Sequence, residues 1–209
     1  MKIYELKPSS DDKWIWFFTI DGPTTPIYFG DTQSFFESQP RIRIDRNTEK
    51  SPRGSRAVLA DFSCLDSGSE LCFSARARTV LGPHVDRLGQ WLALECNEAT
   101  YWLFNVTNII DALDEQKSEI ARFSDGRIMD IDSFVFRPEK VTGHLLFQVR
   151  NTPATPNLVT QDFVDLVHEH GLTGFSFRLV WSEEGGAVSS KLKDWERPRI
   201  TGLEPRRSE

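Results

Sequence analysis

Apolar and polar residues alternate over much of this chain with the period of two that marks half-buried strands. Residues 2–7, Lys-Ile-Tyr-Glu-Leu-Lys, predict a first strand, and the aromatic run 14–20, Trp-Ile-Trp-Phe-Phe-Thr-Ile, predicts a second. Asp21-Gly22-Pro23 ends that run as a turn. Arg and Ile alternate over 41–46, as in a half-exposed strand. Residues 47–56 are polar, with Pro52 and Gly54, and predict a loop. Strands follow at 91–96 and 100–106, joined as a hairpin by a turn at Asn97-Glu98. In the second of these, Trp102, Phe104 and Val106 share one face; Tyr101, Leu103 and Asn105 share the other. Further strands are predicted at 118–123, 131–136, 144–149 and 173–181.

Helical spacing is scarcer. Ser69 is placed to cap a helix starting near Glu70, with Leu71, Cys72, Ala75, Thr79 and Val80 on its apolar side. Gly82-Pro83 is expected to interrupt it, because proline lacks the donor and clashes with the preceding turn. A short helix over 83–88 is expected to stop at Gly89, and residues 109–114 to make one helical turn. After a Pro/Thr loop at 151–156, Thr160 caps a helix running to about His170. Asp162 suits its first turn, Phe163, Val164 and Val167 form its buried stripe, and Gly171 ends it. The fold class is therefore α+β, a mainly antiparallel sheet packed against a few helices. Residues 1–56 read as a β-rich N-terminal lobe or extension, 57–181 as the α+β core, and 182–209 as an extended or flexible tail in which Trp195 is a docking point.

The chain has 209 residues, 39% of them hydrophobic and 27% charged, which supports a packed core and excludes disorder. No apolar stretch approaches the roughly 20 residues of a spanning helix, and the N-terminus lacks the features of a secretory signal. Three cysteines, Cys64, Cys72 and Cys96, form no CxxC pair, as expected in a reducing cytoplasm. The net charge of −6 argues against nucleic acid as a partner. Its distribution is uneven. Residues 91–136 carry nine acids against three bases, whereas 39–90 carry nine bases against six acids. An acidic stretch of this kind is either a solvated face or a docking surface for a basic partner. On the second reading the partner-binding residues are Glu95, Glu98, Asp114, Glu115 and Glu119.

Catalytic patterns are weak. In His168-Glu169-His170 the two imidazoles lie two residues apart and cannot share a helical face, unlike HExxH. Asp130-Ile-Asp132 needs a third converging carboxylate before it can hold a metal. A nucleophile would have to pair Cys64, Cys72 or Cys96 with His84 or His144, and no local signature surrounds them. Nucleotide-binding and nucleophile-elbow motifs are absent. No catalytic residue, metal or cofactor is therefore assigned. In the run Trp14, Trp16, Phe17, Phe18, alternation buries one face only, so the other rings need a second layer of the chain or a partner.

From residue 101 to 181 the sequence resembles immunity family eleven of the bacterial polymorphic-toxin systems. The likeness is carried by Asn105-Val-Thr-Asn-Ile-Ile-Asp-Ala-Leu-Asp114 with Ser118 behind it, by 131–136, by Gly143-His-Leu-Leu-Phe147, by 159–163 and by Gly171-Leu-Thr-Gly-Phe-Ser-Phe177. Ala60-Asp-Phe62 and Phe73-Ser-Ala-Arg76 extend it upstream. The resemblance implies a non-catalytic protein whose partner is a cognate toxin or secreted effector, bound and neutralised inside the producing cell; the net charge and the short apolar stretches argue against nucleic acid and membrane as partners. Asn105, Asp111, Asp114, Gly171 and Gly174 read as positions that make the fold, closing turns and ending helices. A cryptic-site enzyme, metal-assisted or Cys/His-based, and a protein-binding adaptor or chaperone remain the alternatives.

Overall fold

A computed structural model describes residues 1–22, 36–38, 40–51, 53–66, 70–150, 156–189 and 199–201. Pro23, Pro52, Ser69, Trp195 and most of the loop expected at 151–156 lie outside them. The described chain forms two compact units. One is drawn from Met1–Leu6, Val106–Asp165 and Phe177–Ile200; the other from Lys7–Asn105 and Leu166–Ser176. The fold is α+β, as the pattern of alternation predicts: fifteen strands and three short helices among the described residues.

The first unit is built on a seven-stranded sheet. Its strands are β1 (Lys2–Pro8), β8 (Ile109–Ile110), β11 (Leu146–Val149), β12 (Leu158–Thr160), β13 (Phe175–Ser182), β14 (Gly186–Ala187) and β15 (Arg199–Thr201). The order is β14-β13-β1-β12-β11-β8, with β15 also on β13. β1 and β11 both run antiparallel to β12, while β8 lies parallel to β11. Period-two alternation places Ile3 of β1, Phe147 and Val149 of β11, and Leu158 of β12 in a core with Phe134, Phe136 and Trp181. The rings of Phe147 and Trp181 both meet Phe136 edge-on. A separate two-stranded hairpin, β9 (Glu119–Arg122) with β10 (Ile128–Ser133), sends Ile120, Ile128 and Ile131 into the same core. Helix α2 (Pro138–Val141) begins on proline, whose missing N–H is no loss at that position.

The second unit is a six-stranded sheet that closes on itself. Its strands are β2 (Trp16–Asp21), β3 (Arg43–Arg46), β4 (Phe62–Leu65), β5 (Leu71–Ser74), β6 (Gly89–Leu94) and β7 (Tyr101–Val106), in the order β3-β2-β4-β5-β7-β6. The two outer strands meet: a parallel bridge pairs Arg43 with Glu95. There the Ile44 N–H donates to the Glu95 carbonyl, and the Glu95 N–H to the Ile42 carbonyl, each at 2.9 Å. Closure satisfies backbone groups that an open edge would leave unpaired. Alternate residues point inward along nearly every strand: Ile15 and Phe17, Ile42 and Ile44, Leu92 and Leu94, Tyr101 and Leu103, with Leu65 and Cys72. Burial lifts the Tyr101 phenol above its ordinary range, and its hydroxyl donates to the Ala60 carbonyl at 2.7 Å. Trp14, Trp16 and Phe18, the rings left over by alternation, are half-buried.

Three local expectations fail for physical reasons. The helix expected from Glu70 starts instead at Ala75 and runs to Val85 as α1, because Leu71, Cys72 and Phe73 are all buried and pair with β4 and β7. Three consecutive buried side chains need two apolar faces, which a central strand offers and a surface helix does not. Ser74 is the true cap, accepting from the Ala77 N–H at 3.1 Å. Pro83 lies inside α1 without ending it. Residues 109–114 are extended rather than helical, held by β8 and by the Leu113–Phe136 bridge.

Asp61 organises the second unit. Its buried carboxylate accepts from Ser74 Oγ at 2.8 Å, Arg76 Nη1 at 2.6 Å, the Thr173 N–H at 2.9 Å and Thr173 Oγ1 at 3.1 Å. Arg76 also donates to the His170 carbonyl at 2.6 Å. In the same turn Gly174 has φ +83°, and a Cβ there would stand 2.1 Å from the Phe62 carbonyl oxygen. Gly171 has φ +56° and open space around it. Gly171→Ala should therefore cost only the left-handed penalty of about 1 kcal/mol, whereas Gly174→Ala adds a forced displacement of β4 and should cost roughly 3 kcal/mol. Urea denaturation of both variants beside the parent chain checks the difference.

Candidate partner interface

The five acidic residues singled out in the sequence divide between the units. Glu95 and Glu98 belong to the barrel, and Asp114, Glu115 and Glu119 to the other unit. Glu95 follows β6, and its backbone closes the barrel. Its exposed carboxylate stands 3.2 Å from Arg41. Glu98, in the turn before β7, pairs with Arg46, which also donates to the Ala57 carbonyl at 2.8 Å. The hydrogen bond to Glu98 raises the Arg46 pKa further.

Asp114 builds a turn. Its N–H donates to the Val135 carbonyl at 2.8 Å, and its own carbonyl accepts from the Ser118 N–H at 3.0 Å and from Ser118 Oγ at 2.8 Å. The Lys117 ammonium, 2.9 Å away, holds the Asp114 carboxyl below the usual carboxylate range. Glu115 pairs with Arg122 at 2.6 Å. Glu119 opens β9 opposite Ser133, is exposed, and makes no ion pair with any described residue. Four of the five carboxylates are thus already matched to a cation of this chain. Exposed pairs of this kind contribute about 0–1 kcal/mol to folding, and a partner could exchange them at small cost.

Of the five positions expected to make the fold, Asp114, Gly171 and Gly174 stand at turns, whereas Asn105 lies within β7 and exposed Asp111 makes an ion pair. Asn105 donates to Gln90 Oε1 at 3.0 Å across β7 and β6, and Asp111 pairs with Arg137 at 2.8 Å. After helix α3 (Gln161–Glu169), the Gly171 N–H donates to the His168 carbonyl and the Leu172 N–H to the Val167 carbonyl, each at 3.0 Å. Residues 90–181 match the family model of the immunity protein family Imm11. No curated protein matches the chain. The Imm11 stretch contains all five acids and all five positions expected to make the fold, and begins upstream of the likeness drawn from residue 101. The upstream pieces at 60–62 and 73–76 fall outside it.

Outside the acidic stretch, the candidates for chemistry are dispersed. Among the described residues no three His, Cys, Asp or Glu side chains gather as metal ligands. Burial pushes the Cys64 thiol up to about 11, and the fully enclosed Cys72 thiol well above its ordinary value. Burial disfavours at both positions the thiolate that a nucleophilic cysteine needs.

The sequence reading missed a surface inside the Imm11 stretch, the end of the β9–β10 hairpin. Phe123 is 42% exposed and Met129 51% exposed. Phe123-Ser-Asp-Gly-Arg127 closes the hairpin: the Phe123 N–H donates to the Arg127 carbonyl at 2.9 Å and the Gly126 N–H to the Phe123 carbonyl at 3.0 Å. Asp125-Gly126 is itself a hairpin signal and could have located this turn. Treating 118–123 as an ordinary half-buried strand hid the exposed ring.

Half-buried Cys96 should react first with iodoacetamide at pH 8, with Cys64 and Cys72 modified only after unfolding. Peptide mass mapping of native and urea-treated protein reads the order; equal labelling of Cys72 in the native chain contradicts it.

Proposed function

We propose that this chain is an immunity protein, which binds a cognate toxin or secreted effector domain in the cytoplasm of the producing bacterium and neutralises it without catalysis. The observation that carries the reading is the match of residues 90–181 to the Imm11 family.

Neutralisation by binding needs an interface of about 800 Å² on each partner, with complementary charge setting the encounter rate and excluding wrong partners. Glu95, Glu98, Asp114, Glu115 and Glu119 are the proposed acidic contacts. They suit a basic toxin, such as one whose own substrate is a polyanion. Each would exchange an internal cation, or solvent for Glu119, for a cation of the partner.

The direct test is co-expression with the toxin domain encoded beside this gene. Survival of the host is expected, and undiminished killing refutes the immunity reading. The acidic contacts have their own test. Asp114→Lys together with Glu115→Lys should slow association with that toxin about tenfold at low salt, with the difference shrinking as salt is added. Unchanged association kinetics refute the contacts at Asp114 and Glu115 and leave the immunity reading standing.

A further inference from the structure

We infer that the β9–β10 hairpin is the anchoring element of the partner interface, with Phe123 and Met129 entering an apolar pocket on a basic protein. The inference rests on the immunity reading and specifies where the toxin docks.

Three features of the hairpin carry the argument. The first is its construction. β9 and β10 pair only with each other among the described residues, and Ile120, Ile128 and Ile131 root the pair in the core of their unit. The residues that face away, Phe123 and Met129, are two of the largest exposed apolar side chains among the described residues. Met129 lies at a register shift between Ile128 and Asp130, where the ladder gives it no partner.

The second feature is charge. Each cation around the hairpin is neutralised locally: Lys117 by Asp114, Arg122 by Glu115 and Arg127 by Asp125. Arg127 also lies over the Phe123 ring, 5.4 Å from its centroid. Glu119 and Asp130 are exposed carboxylates with no ion pair to a described residue. The apolar pair is thus bordered by net negative charge, and the complementary surface is an apolar pocket rimmed by Lys or Arg.

The third feature is energetic rank. Interface energy concentrates in a few large side chains that become fully desolvated, while rim charges act mainly on rate. Of the hairpin's groups only Phe123 and Met129 are large, apolar and exposed enough to serve as such anchors.

The experiment uses the full-length chain and the purified toxin domain encoded beside its gene, inactivated by substitution. Binding is followed by surface plasmon resonance, with circular dichroism melts confirming that each variant is folded. Phe123→Ser with Met129→Ser is expected to weaken Kd about thirtyfold or more through faster dissociation. Glu119→Lys with Asp130→Lys is expected to lower the association rate about tenfold. If the parent chain does not bind, the immunity reading falls and this inference with it. If the parent binds and Phe123→Ser/Met129→Ser binds within twofold of it, the hairpin assignment alone is overturned. Sedimentation of the chain by itself supplies the remaining outcome. A dimer lost in Phe123→Ser/Met129→Ser would assign the patch to a second copy and also overturn the proposal.

Discussion

A single buried carboxylate, Asp61, joins parts of the chain that the sequence keeps far apart. Burying a charge is costly unless a counter-charge and hydrogen bonds replace the lost water. Here Arg76 supplies the charge, and Ser74 and Thr173 supply the hydrogen bonds. The same Ser74 oxygen that donates to Asp61 accepts from the Ala77 N–H, so one hydroxyl both satisfies the carboxylate and starts helix α1. Arg76 then reaches the carbonyls of His170 and Gly171, fixing the turn that follows α3. Phe62, Phe73 and Phe175 pack on one another beside this junction, with centroids 4.9–5.9 Å apart. The polar ties select one arrangement of strands that packing alone would satisfy in several ways. The other unit uses a related device, with buried Glu5 of β1 paired to Arg178 of β13.

How much of this was legible depends on the range of the forces involved. β1, β13 and α3 could be read because alternation, capping and terminal glycine act within a few residues. The start of α1 could not, because Leu71, Cys72 and Phe73 fit a helix or a strand equally well until β4 and β7 flank them. Barrel closure left no mark in the pattern, since it rests on the backbone of Ile42, Ile44 and Glu95 rather than on any side chain. The acidic stretch was visible as charge, yet the sequence could not show that Arg41 and Arg46 return to face Glu95 and Glu98. Net charge along a segment overstates the charge a surface offers when cations distant in sequence fold onto it.

That correction changes which groups an interface on this protein can draw on. A carboxylate already paired must give up one cation to gain another, and the difference between two exposed pairs is small. Removing a large exposed apolar side chain from water has no such exchange: a Phe or Met fully buried contributes about 1.5–3 kcal/mol. In the proposed interface the acids therefore set approach and discrimination, while holding the partner falls to apolar groups.

The hairpin between Glu119 and Ser133 shows how one fold can meet both demands. Its root, Ile120, Ile128 and Ile131, belongs to the core and is fixed by it. Its outward residues, Phe123, Met129, Glu119 and Asp130, contribute little to that core and can change without disturbing it. Within the matched stretch, Asp114 and Gly174 are by contrast tied to a turn and to a close backbone approach. A substitution at Gly174 deforms the scaffold; one on the outer hairpin alters what the scaffold presents. The match over residues 90–181 concerns the scaffold of that stretch, and the surface proposed to bind is carried by side chains such as Phe123 and Met129.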